Sequence, residues 1–272
     1  MKKIVLFIVT FVFTVTICKG QKQVDYTLLG VYTPYQGNME KLNGKIEKVI
    51  EINYWAISDG GLYKKGEKMT KKQLDSLGYT GDFEATFDKE GDLVSCANLD
   101  ENKKIANKWE LMKENNVLVR ANYTVNDTLK SYHKLKCDKN GDIIEYDRHR
   151  AVPDTLLGRW VVVRNPKGDT LIFKVFNYKG EQTFKTLFLF NDLKLCIGYQ
   201  GYDKNGKYSG GNEIKFNKQG KLSELIIYDK DKKPTSENAF INEYDSKGNW
   251  TKQICKDKKG FVVFGERVYT YY

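Results

Sequence analysis

The acid-rich string Asp138-Lys139-Asn140-Gly141-Asp142 carries the residue types of a calcium loop, with an Asp-x-Asn start that could supply hard oxygen ligands. The spacing does not follow. Glycine stands fourth rather than sixth, and the twelfth position, where a bidentate glutamate belongs, is His149. Lysines inside this string and its relatives (Lys89, Lys139, Lys204, Lys218 and Lys247) would repel a cation. With only His133 and His149, a multi-histidine zinc site is excluded, and neither HExxH nor GxSxG occurs. Cys137 stands four residues from His133, about 13 Å along a strand, which is too far for a direct dyad. A carboxylate pair for glycoside hydrolysis needs only two acids brought together by the fold. Thirty-five acids neither single out such a pair nor exclude one. The sequence therefore names no catalytic, cofactor-binding or metal-binding residue, and a non-catalytic protein is expected.

The same acids make better sense as turns. "FDKEGDL" (87–93), "CDKNGDI" (137–143), "YDKNGKY" (202–208), "FNKQGKL" (216–222) and "YDSKGNW" (244–250) share one frame: an apolar or aromatic residue, Asp or Asn, two polar residues, glycine, and a return to apolar residues. Asp88, Asp138, Asp203, Asn217 and Asp245 can each accept a hydrogen bond from a backbone N–H two residues on. Gly91, Gly141, Gly206, Gly220 and Gly248 then supply the positive φ that closes the turn. Alternating stretches follow, as in Val262 to Tyr272, and the glycine intervals fit one strand plus one turn. This predicts an all-β, extended antiparallel meander of repeated hairpins, forming a twisted open sheet that could curl toward a barrel.

The N-terminal half follows the frame less closely. "GKIEKVIEINYWAI" (44–57) reads as a long strand. Thr70 and Gln73 form a capping box for a short helix near 71–77 that ends at Gly78. Residues 101–116 fit neither helix nor strand cleanly, and "AVPDTLLGRW" (151–160) marks a seam between a β-rich half at 21–152 and a hairpin-repeat half at 153–272.

Residues 1–20 read as a secretory signal peptide: Lys2 and Lys3, an apolar run, then Cys18 and Gly20 before a cut preceding Gln21. Cleavage after about Gly20 is favoured over a lipoprotein at Cys18, because Ile17 is bulky where a small residue belongs. Removing the leader leaves 42 basic and 35 acidic residues, a balance of +7. These charges interleave along the chain, so they describe a solvated surface rather than a nucleic-acid footprint. Cys96, Cys137, Cys196 and Cys255 permit two disulfides in three pairings, or four buried thiols. The 18 tyrosines and Trp55, Trp109, Trp160 and Trp250 could pack the sheet face or form stacking platforms for sugars.

The YDxxGN turns resemble the tyrosine–aspartate repeats of Rhs-type proteins. They also resemble a group of exported Bacteroidetes proteins of unknown function that end in a YDxxGNW turn and a tyrosine-rich terminus, here Tyr244 to Tyr272. A lesser likeness, through "YDKNGKYSGG" and "FNKQGKL", is to MORN-type repeats. The resemblance implies an antiparallel hairpin sheet and no activity. The reading that follows is an exported, non-catalytic envelope protein of the periplasm or cell surface, structural or binding. Its partner would be an envelope protein or a glycan, with no transmembrane segment in the mature chain. A partner or immunity-type protein of a toxin or secretion system is the alternative, and a carbohydrate-active enzyme the third.

Overall fold

A computed structural model describes residues 42–272 apart from 61, 78–80, 140, 141, 166, 168, 193, 194, 259 and 261. The leader with Cys18, the helix stop Gly78 and the turn glycine Gly141 thus lie outside the described residues.

The architecture follows from one long strand. β1 (Ile46–Asp59) is rich in β-branched residues and pairs on both edges. One edge takes β17 (Val262–Tyr271), and the other takes β3 (Phe83–Phe87) and then the short β2 (Leu62–Lys68). From β3 onward every strand pairs antiparallel with the next in sequence, so that sixteen strands close into a barrel. The open sheet suggested by the turns is corrected by this seam: β1 covers the edge that β17 would otherwise leave bare, and closure removes the unpaired ladder groups. β2 and β3 share one edge of β1 and are separated by helix α1 (Lys71–Leu77). Residues 101–116 resolve as β5 (Ile105–Glu114), reached through a turn that lacks glycine.

The Asx turns form with one bond more than the sequence suggested. Oδ1 of Asp203 accepts from the N–H of Asn205 and also of Lys207, both at 2.9 Å. Asn217 repeats this with Gln219 and Lys221, and Asp245 with Lys247 and Asn249. Asp88 and Asp138 accept from Asp92 and Asp142. The residue before each Asx pairs directly with the residue six further on, as in Phe87 with Leu93 and Tyr244 with Trp250, always at a register shift. Each turn therefore carries a bulge that twists its hairpin. Because of that bulge Leu222 and Leu225 both reach the core, where strict alternation would have parted them.

Inward positions are apolar and buried. Val49, Ala85, Ala121 and Ile143 have 0% exposure, and Cys196, Ile214 and Leu222 are nearly as deep. These belong to strands all round the ring and join one cluster. A round barrel of sixteen strands leaves an aqueous channel. A filled interior instead requires a flattened ring whose walls approach like the layers of a sandwich. Glycine lets β12 (Cys196–Asp203) and β13 (Tyr208–Phe216) approach closely: a Cβ on Gly198 would stand 2.4 Å from the carbonyl oxygen of Asn212.

Candidate functional site at the barrel mouth

The two ends of the barrel differ. At one end lie the starts of β1 and β4 (Leu93–Leu99), together with the turns at Asp88, Asp138, Asn217 and Asp245. Their flanking apolar pairs plug that end, with Phe87 and Leu93, Cys137 and Ile143, and Phe216 and Leu222 all in the core. Of the ten turn residues named from sequence, Asp203 and Gly206 stand at the opposite end. Those the structure describes form hairpin corners and do not converge on a site.

The opposite end is the mouth. Residues 69–77, after β2, turn into it. Met69 and Leu74 pack on Cys255 and Val263 of the inner wall, beside Trp55 and Phe240. The capping box forms as read: the Gln73 N–H donates to the Thr70 hydroxyl, and the Thr70 N–H donates to Gln73 Oε1 at 2.8 Å. Below the helix, Arg267 Nε donates to Glu51 Oε2 at 2.8 Å, and the guanidinium lies 3.9 Å over the Trp250 ring. Burial raises the Glu51 carboxyl above its ordinary value, although Arg267 pulls the other way.

The facing wall is aromatic. It runs over β5, β6 (Val117–Val125), β7 (Thr128–Cys137), β8 (Ile143–Arg150) and β9 (Thr155–Arg164). Trp109 lies 4.9 Å from Tyr123 and from His133, which stacks on Tyr146, and Tyr146 stacks on Trp160 at 5.0 Å and 10°. Tyr146 and His133 are buried, whereas Trp109, Tyr123 and Trp160 are partly exposed. Burial lifts the Tyr146 phenol well above its ordinary value, with Arg148 acting against it.

Toward the rim, Arg148 pairs with His133 and Arg150 with Ser131, so both arginines share the inward face. Tyr132 and His149 point outward and stack at 4.9 Å. The turn after β8 follows them: the Tyr132 hydroxyl donates to Asp154 Oδ1 at 2.6 Å, and His149 Nδ1 lies 3.0 Å from the same oxygen. These contacts, led by the Tyr132 hydroxyl, hold the Asp154 carboxyl below its usual range.

The outer face is charged. Lys215 pairs with Glu224, Lys252 with Glu243, Arg159 with Asp147 and Lys48 with Glu84, at 2.7, 2.8, 2.7 and 3.4 Å. Exposed apolar side chains such as Ile241 and Val268 are interspersed with these charges. A membrane-spanning barrel presents the reverse pattern, an outward apolar band around a polar interior.

The four described cysteines, left open between disulfides and thiols by the sequence, form no disulfide with one another. They sit on different strands, and burial pushes the Cys96 thiol far up. No group of three His, Cys, Asp or Glu side chains gathers among the described residues. The aromatic wall and the two arginines went unread in the sequence because their convergence depends on register. The one available signal was the alternation of Tyr146, Arg148 and Arg150 with Asp147 and His149.

No family model matches the chain, and no curated protein does. Among solved structures it is similar to a porin-like protein from Bacteroides uniformis. Sequence identity is 7%, the match covers 84% of this chain and 98% of that chain, and the TM-score is 0.51. This supports the barrel fold alone. Similarities to the Photorhabdus luminescens Tc holotoxin pore (11% identity, 65% of this chain and 11% of that chain, TM-score 0.19) and to a DUF1329 family protein from Desulfovibrio piger (7%, 82% and 84%, 0.22) superpose too poorly to carry an argument.

Proposed function

We propose that this chain is an exported, non-catalytic barrel of the cell envelope that stands in water and binds a ligand at its mouth. The polarity of its wall carries the reading. Charged pairs face outward, apolar side chains fill one end, and partly exposed aromatics with two arginines line the other. A structural likeness to a porin-like protein fits an envelope location, while the charged exterior argues for a barrel beside the membrane rather than across it. The N-terminal leader pattern supports export.

Fractionation of cells carrying an epitope-tagged chain tests this. The processed protein is expected in a detergent-free envelope extract, and binding in an oligosaccharide screen should be lost in Trp160→Ala. Recovery only with detergent, or only from cytoplasm, would refute the location. Binding that survives Trp160→Ala would refute the mouth.

A further inference from the structure

Six arginines are described, and four are engaged. Arg159 pairs with Asp147, Arg164 with Asp142, and Arg267 with Glu51, while Arg120 lies 3.9 Å over the Tyr132 ring and donates to Asn122. Arg148 and Arg150 differ. Both are exposed, both face the interior, and among the described residues neither has a carboxylate within ion-pair distance. Two positions apart on one face, they stand about 7 Å from each other along the strand, close enough to repel. The acid nearest in the turn, Asp154, is drawn to the outer face by Tyr132 and His149.

The residue across the sheet from Arg148 carries no side chain. Arg148 pairs across β9 with Gly158, where a Cβ would stand 2.6 Å from the carbonyl oxygen of Phe176 and 3.5 Å from the Trp160 ring. The strand packing therefore requires glycine there, and the edge of the Trp160 ring lies against it, next to the position of Arg148. Guanidinium forks suit the paired oxygens of carboxylates and sulfates. Flat aromatic faces suit sugar rings.

Building on the mouth reading, we propose that Arg148 and Arg150 bind the acidic group of an anionic sugar, carboxylated or sulfated, whose ring lies against Trp160. The arginines supply charge-assisted hydrogen bonds, and the aromatic wall supplies the stacking surface.

Calorimetric titration of the purified chain tests this with a galacturonic acid hexasaccharide, its methyl-esterified counterpart and a hexaglutamate peptide. The acidic hexasaccharide should bind, more weakly as salt rises. The ester should bind about tenfold or more weakly, the cost of losing charged hydrogen bonds. Arg148→Gln with Arg150→Gln should bring the acid down to the level of the ester, and Arg159→Gln, on the outer face, should change nothing. Both changes are at exposed positions, and an unchanged melting temperature verifies the fold. Equal binding of acid and ester, or indifference to the double substitution, overturns the proposal, as does an absence of binding to the acid. Hexaglutamate binding as tightly as the acidic sugar overturns the sugar assignment. If acid and ester bind alike and both are lost in Trp160→Ala, the mouth stands and only the anionic inference falls.

Discussion

The Tyr271 hydroxyl donates to Oδ2 of Asp245 at 2.6 Å, tying the last strand of the barrel to the turn before β16 (Trp250–Asp257). The same turn reaches the start of β1: the Asn43 N–H donates to Asn249 Oδ1 at 2.7 Å, and Asn249 Nδ2 donates to the Asn43 carbonyl oxygen at 2.8 Å and to the Tyr271 hydroxyl. The Lys247 ammonium caps the Tyr271 ring. The YDSKGNW string is thus a clasp on the closure seam.

The clasp makes stability depend on pH at both extremes. Burial favours raising the Asp245 carboxyl, but the Tyr271 hydroxyl and the backbone N–H groups of Asn249, Lys247 and Gly248 outweigh it and leave the carboxyl lowered. A depressed carboxyl contributes stability above its unfolded value of 3.8, and that contribution is lost as pH falls through the lower folded value. Burial and the Asp245 hydrogen bond push the Tyr271 phenol up to about 12 from 10.0. The folded chain then holds a proton that the unfolded chain releases, so stability falls as pH rises from 10 toward 12. Melting temperature against pH should show both slopes, and Tyr271→Phe should flatten the alkaline one.

Gly248 has φ +82°, and a Cβ there would stand 3.3 Å from Asn43 Nδ2. Gly206 has φ +78° with open space around it. Each Gly→Ala change should cost about 1 kcal/mol of backbone strain. Gly248→Ala should cost more, because it also presses on the clasp. Urea unfolding of the two variants side by side checks the order.

The Glu51–Arg267 pair is buried with the arginine side chain at 0% exposure. Removing one partner strands the other. Glu51→Leu or Arg267→Met alone should therefore destabilise by about 3–5 kcal/mol, whereas the double change should cost far less. Chemical denaturation of the three variants gives the coupling energy.

Cys96, Cys196 and Cys255 are buried, Cys137 is half-buried, and no disulfide joins them to one another. A thiol reagent should label Cys137 first in the native chain and reach the other three only on unfolding. Mass mapping of the labelled peptides distinguishes this from a disulfide, which would leave two cysteines unlabelled until reduction.

Local chemistry was legible where it is local. The Asx frame foretold the hairpins, since Asp, glycine and flanking apolar residues act within seven positions. Thr70 and Gln73 foretold the helix for the same reason. One turn escaped because a non-glycine residue adopts positive φ: Lys103, at 62° after Asp100, hid the start of β5. Closure was not legible, because no short motif specifies that Ile46 lies beside Tyr271. Nor was the mouth, where Trp109, His133, Tyr146 and Arg148 meet only once four strands are in register.

Nearly every pairing in this barrel joins strands adjacent in sequence and so can form early and quickly. The seam is the exception, with partners such as Asn43 and Asn249 separated by 206 positions and Glu51 and Arg267 by 216. Folding should therefore proceed as rapid zippering of a ribbon followed by one slow search for its own far end. Until that search succeeds, β1 and β17 are sticky borders open to a second chain. The clasp residues at Asn43, Asp245, Asn249 and Tyr271 then matter most for the interval before closure, when a ribbon that fails to meet itself can meet a neighbour instead.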